Sequence, residues 1–200
     1  MLTVLATIGL VVFTCTLVAS SIVLPQFVQL APEDESAIDG SVIILALGIV
    51  GVLGVSYLFN IIVICMFMYR ANANVRALGA QGVENTPGWC GGYWFIPIVN
   101  FVMPYRCMSE IHRASQNPMG RDWKSNAPHS LMGVWWGFWV LGLILDRFTR
   151  RSEAFNLEQY DVIFQWIGTA LFVGAAISLI VILRSITSLQ NDHAEKMLKN

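Results

Sequence analysis

Charge is scarce in this chain. Only 12% of its 200 residues are Asp, Glu, Lys or Arg, where a soluble domain carries about 25%. So few polar residues cannot coat a water-facing globule, and the shortage points to lipid as the solvent. The net charge of −1 gives no footprint for nucleic acid. The four cysteines, Cys15, Cys65, Cys90 and Cys107, lie far apart with no CxxC pair, which argues against a zinc or thiol redox motif. They read as small buried hydrophobes. HExxH, GxSxG and P-loop signatures are all missing, so no enzyme class is indicated. No acidic residue interrupts a long apolar run, where ion-coupled transporters commonly place one.

What the chain has in abundance is apolar sequence: 56% of residues are hydrophobic and the mean hydropathy is +0.60. Four runs are expected to span a membrane as helices, at about 2–24, 42–68, 130–146 and 161–184. The first covers roughly 34 Å at 1.5 Å per residue, enough for a hydrocarbon core of about 30 Å. It lacks the basic n-region of a signal peptide and reads as an uncleaved span ending at Pro25. The third run is short and needs its flanks to cross. Gly48, Gly51 and Gly54 recur every three residues in the second run. Ala170, Gly174 and Ser178 recur every four in the last. Both are small-residue stripes that predict close helix packing. Asn60 is the one strongly polar side chain of its run and is expected to face the bundle.

The fifth apolar segment, 88–103, is different. Gly91, Gly92, Pro97 and Pro104 break its helical potential. Counting only Lys and Arg, a crossing here leaves five basic residues inside and seven outside. A segment that enters and returns leaves nine inside and three outside. The positive-inside rule favours the second arrangement. It places both termini and the 105–129 loop in the cytoplasm, and the Lys/Arg-free acidic loop with Glu33, Asp34, Glu35 and Asp39 outside. A kinked fifth span is the other possibility. Pro104 suits the first turn of a helix over 104–116. Tyr105, Met108 and Ile111 fall on one side of it, and Arg106, Glu110 and Arg113 on another. That pattern predicts an amphipathic helix lying in the cytoplasmic interface.

The stretch GWCGGYWFIPIVNFVMPYRCMSEIHRAS, Gly88 to Ser115, resembles the signature of an uncharacterised bacterial membrane family, "domain of unknown function 4328". The resemblance rests on Trp89, Trp94-Phe95, Pro97, Asn100, Pro104-Tyr105, Glu110-Ile111 and Arg113-Ala114-Ser115. Tyr69-Arg70-Ala71, Ala73-Asn74, Ala77-Leu78-Gly79 and Trp135-Trp136 add to it, so it covers about residues 69–140. The family often has a second Trp after Glu-Ile, where this chain has His112. The resemblance implies a multi-pass protein of the bacterial inner membrane and brings no activity with it.

The expected architecture is therefore an all-α integral membrane protein, a single domain over 1–200. Four spans form a bundle with a broken re-entrant or kinked segment and an interfacial helix. The expected function is a non-enzymatic module that binds a partner or a lipid. A small transporter or channel with 88–104 lining the path is the alternative. The candidate binding cluster is Arg70, Asn74, Asn100, Tyr105, Arg106, Glu110 and Arg113, suited to a lipid phosphate. The same residues also suit the simpler task of tying the broken segment to the second span. Expected partners are membrane lipids, anionic ones included, and a protein partner or second copy. No cofactor or metal is assigned. His112 and His129 fall near one face but have no ligand spacing, and solvated histidines are expected there.

Overall fold

Long uncharged runs in lipid must satisfy their backbone internally, which leaves helices or closed barrels. The computed structural model describes residues 2–30, 40–151 and 160–199. Over these residues it is all-helical, with no strand. The α-helices are α1 (Leu2–Leu30), α2 (Gly40–Ala77), α3 (Pro87–Gly92), α4 (Met103–Gln116), α5 (Met132–Thr149) and α6 (Asp161–Lys199). Three of them, α1, α2 and α6, are long and apolar enough to cross a membrane. The acidic stretch with Glu33, Asp34, Glu35 and Asp39 lies outside the described residues.

Helix α1 runs through Pro25, where the sequence predicts its end. Proline fixes φ near the helical value and forfeits one hydrogen bond. In an apolar run that loss is smaller than the loss from uncoiling several residues into lipid. Helix α2 stops where glycine allows it. Ala80 N donates to Val75 O at 3.0 Å and Gly79 N to Arg76 O at 3.0 Å. Gly79 sits at φ +98°. This is a Schellman motif, in which the left-handed residue follows the last turn and closes its free carbonyls.

The bundle packs around one buried cluster that includes Ala6, Leu10, Val63, Phe67, Ala176, Leu179 and Leu183. Asn60 faces inward, as its lone polarity predicts: Nδ2 donates to Gly9 O on α1 at 3.1 Å and to Ser56 O at 2.8 Å. The outer surface is apolar. Ile44 is 72% exposed and Val55 69%, a coat that suits lipid and not water.

Close approach is made at glycines other than those expected in α2. A β-carbon added at Gly48, Gly51 or Gly54 would meet nothing within 4 Å. Helix α1 instead crosses α2 at Phe59 and Asn60, against Gly9, whose added β-carbon would lie 3.0 Å from Phe59 Cε1. Between α5 and α6, Gly142 sits against Phe172 and Gly174 against Phe138. Of the expected α6 stripe, Ala170 is exposed and Ser178 is buried with its hydroxyl on Gly174 O.

Residues 87–101 form no long helix. Thr86 caps α3, with Pro87 in its first turn. A 3-10 turn follows at Tyr93–Phe95 and another at Val99–Phe101. Between them Val99 N donates to Pro97 O at 2.8 Å, and Ile98 adopts φ 70°, ψ −53°. That is the rare γ-turn geometry, strained for a β-branched residue. The segment descends along α2 and comes back. Asn85 O meets Asn72 Nδ2 at 3.0 Å, and seven residues further down α2 the Cys65 thiol reaches Gly91 O at 3.5 Å. Seven residues are about 10 Å of helix. The return leg ends in α4, where Glu110 meets the amides of Glu84 and Asn85.

The phenyl ring at position 138 supplies a direct check on the α5–α6 contact. A β-carbon at Gly174 would lie 2.7 Å from Phe138 Cδ2. Gly174→Leu is expected to lower stability by about 1–3 kcal/mol. Gly51→Leu, facing open space, is expected to stay within about 0.5 kcal/mol of the parent. Thermal unfolding of both in detergent tests the pair.

Candidate functional site

The candidate cluster divides in the structure. Tyr105, Arg106, Glu110 and Arg113 line one polar pocket of about 340 Å³, together with Glu84, Asn85, Met103, Ser109, Trp123 and Lys124. Arg70 is exposed on α2 and does not line it. Asn74 donates to Gln190 Oε1 on α6 at 3.0 Å. Asn100 lines a separate apolar cavity. Helical spacing alone could not foresee this division, because the turns at 93–102 decide where Asn100 points.

The pocket's walls come from the helix face 105–113, the 84–85 strand of loop and the loop turn at Trp123–Ser125. Glu110 fixes the first two together. Its carboxylate accepts from Glu84 N at 2.6 Å, Asn85 N at 3.2 Å and Asn85 Nδ2 at 2.7 Å. The carboxylate is thus committed to backbone and amide. Neither Arg106 nor Arg113 forms an ion pair among the described residues. Lys124 pairs with Glu84 at 2.8 Å. That hydrogen bond and charge hold the Glu84 carboxyl below its usual range. The pair is exposed and adds little to stability.

Two donors in the pocket wall lack acceptors. Ser109 Oγ and Arg113 Nε are buried with no hydrogen-bond partner. A buried donor left unpaired costs about 1–3 kcal/mol. Ser109, Glu84, Asn85 and Lys124 were not among the candidates read from sequence. Only a fold that returns α4 to the 84–85 loop brings them together.

Behind the pocket, α4 is buried more deeply than an interfacial helix would be. Cys107, Met108, Ile111 and Ala114 are all fully buried. His112, expected to be solvated, is buried between Gln116, Ser185 and His129: Gln116 Nε2 lies 3.2 Å from Nδ1, Ser185 Oγ 3.4 Å from Nε2, and the His129 ring 5.3 Å away. Burial, with the neighbouring His129 second, lowers the His112 pKa to about 4. His193 Nε2 donates to Gln116 O at 3.2 Å, so all three histidines of the chain gather here. Cys107 is held protonated by its hydrogen bond to Cys90 and by burial. Cys90 in turn accepts from Asn72 at 3.3 Å. These two thiols fit the expectation of small buried groups, while Cys15 is exposed and Cys65 partly so. The tryptophans divide likewise. Trp135 is 2% exposed and packs inside the bundle, and Trp94, Trp136 and Trp139 stack edge and face within 4.9–6.1 Å.

The folded chain is thus an all-helical protein with three helices able to cross a membrane and a polar pocket built on a broken segment and the helix after it. Residues 29–188 match the family model described as Domain of unknown function (DUF4328), and the chain belongs to that family. The match reaches well beyond the 69–140 stretch that carries the resemblance, taking in α2, α5 and most of α6. No curated protein and no solved structure matches the chain.

Burial of His112 has a consequence for pH. Its folded pKa of about 4 lies below the ordinary 6.5. The unfolded chain therefore binds the proton more readily, and acid favours unfolding. Stability is expected to fall as pH drops from about 6.5 to 4, by at most about 1.4 kcal/mol per pH unit from this group. His112→Gln is expected to flatten that slope in melting curves taken across the same range.

Proposed function

We propose that the protein is a four-span protein of the bacterial inner membrane that binds the phosphate of an anionic lipid in the polar pocket, without catalysing a reaction. Helices α1, α2, α5 and α6 are the crossings and residues 1–200 form one domain. At 18 residues, α5 covers about 27 Å, close to the hydrocarbon thickness. Residues 88–103 enter and return on the cytoplasmic side, where both termini also lie. The return of the segment to its starting level, with Glu110 on Glu84 and Asn85, supports this topology. So does the count of nine basic residues on that side.

One observation carries the ligand class. Arg106 and Arg113 line the pocket without an ion-pair partner among the described residues, while Lys124 is paired with Glu84 and Glu110 is bonded to the amides of Glu84 and Asn85. Guanidinium groups bind phosphate through short charge-assisted bonds. Under this topology the pocket lies near the headgroup level of the inner leaflet, where each basic residue adds about 1 kcal/mol of attraction to an anionic surface.

Topology is tested by accessibility. A single cysteine at Ser125, in a background cleared of native cysteines, is expected to resist labelling by an impermeant maleimide in intact cells and to react in inverted vesicles. Labelling in intact cells would mean that 88–103 crosses.

Lipid binding is tested with Arg106→Gln, Arg113→Gln. The double variant is expected to keep its melting temperature within a few degrees and to retain fewer anionic lipids by native mass spectrometry. Lost stability with unchanged lipid per folded molecule would make the arginines structural and end the lipid-site reading.

A further inference from the structure

The two arginines of the polar pocket stand two turns apart on one face of α4. Seven residues separate Arg106 from Arg113, which is about 10 Å along a helix axis. Both line the pocket, and neither has an ion-pair partner among the described residues. Glu110 stands between them, four residues after Arg106 and three before Arg113, on the same face of the helix. Its carboxylate is not free to swing aside. Hydrogen bonds at 2.6–3.2 Å pin it to Glu84 N, Asn85 N and Asn85 Nδ2. The pocket's other carboxylate, Glu84, is taken by Lys124 at 2.8 Å.

This order of charges, positive, negative, positive along one helix face, bears on how an anion can sit. A single phosphate shared by both arginines has to lie midway between them, beside the pinned Glu110 carboxylate, and the two like charges repel. A single phosphate at one end avoids the carboxylate but leaves the other guanidinium unpaired. Two phosphates, one at each end, occupy both arginines and straddle the carboxylate. The pocket has room for more than one such group. It measures about 340 Å³, within the range of roughly 300–1,000 Å³ for small-molecule sites.

We propose, resting on the reading of this pocket as a lipid-phosphate site, that it takes two phosphates at once, one at each arginine. Its lipid is then one whose head joins two phosphodiesters through a glycerol, the cardiolipin class. Once the first phosphate is held, the second is captured intramolecularly, at the effective concentration that its tether sets. A head with one phosphate has no such second step.

The test compares lipids with one and two phosphates. The full chain is reconstituted in phosphatidylcholine nanodiscs doped with cardiolipin or with phosphatidylglycerol at equal phosphate. Lipid retained per folded molecule is then read by native mass spectrometry, with the Arg106→Gln, Arg113→Gln protein as background. The parent is expected to retain cardiolipin roughly fivefold over phosphatidylglycerol, the worth of one more arginine at an anionic group. Arg106→Gln and Arg113→Gln are each expected to bring cardiolipin down to the phosphatidylglycerol level, because either leaves one phosphate unheld. If both arginines serve one phosphate, each single variant weakens the two lipids in parallel and their ratio stays as in the parent. That result would overturn the two-phosphate site. Equal retention of the two lipids by the parent would overturn it too, whether or not a variant folds, and would leave the lipid-phosphate reading standing. Retention of neither lipid above background would end both.

Discussion

Backbone that is not helical must find its hydrogen-bond partners inside the protein when water is scarce, and the α2 end of the bundle is organised around that need. Residues 80–102 are the break. Their carbonyls are met one by one: Arg76 reaches Val83 O and Asn85 O at 2.9 Å, Asn72 reaches Asn85 O, Trp123 reaches Gln81 O at 2.8 Å and Trp136 reaches Phe101 O at 3.1 Å. The amides at 84 and 85 are met by Glu110. Much of the polarity in this part of the chain answers the break. Ser109 Oγ, Arg113 Nε and Asn100 Oδ1 are buried polar atoms that no bond of this kind reaches.

The two cavities are complementary in kind. One is polar and lined by both arginines and carboxylates, while the other is mainly aliphatic and aromatic. The turns between Trp94 and Met103 send Asn100 one way and Tyr105 the other.

Much of the architecture was legible in the sequence, because apolar length and a lack of charge report directly on helices in lipid. The start of α4 at Pro104 and the inward turn of Asn60 follow from single residues with one physical role. The misreadings have a common cause. The glycines of α2 and the solvation of His112 were judged from local sequence, while each outcome depends on a distant partner. Gly51 faces open space because α1 approaches α2 at Phe59. His112 is buried because α6 passes over it at Ser185. The site shows the same limit: Arg106, Glu110 and Arg113 share a visible helical face, but Glu84, Asn85 and Lys124 join them only through loops. Asn74 left the cluster for Gln190, which lies at the polar end of a long helix.

The Gln190 amide has a bearing on synthesis. Gln190 Nε2 donates to Ala71 O and to Ser115 Oγ, each at 3.0 Å, while its oxygen accepts from Asn74. By these hydrogen bonds it joins α2, α4 and α6. Position 190 is made 75 residues after Ser115, a delay on the order of 4–15 s at about 5–20 residues per second. During that interval the Ser115 hydroxyl keeps its bond to Ile111 O at 2.7 Å, and the carbonyl of Ala71 stays within helix α2. The hydrogen bonds that fasten α2 and α4 through α6 thus form only once the last long helix docks.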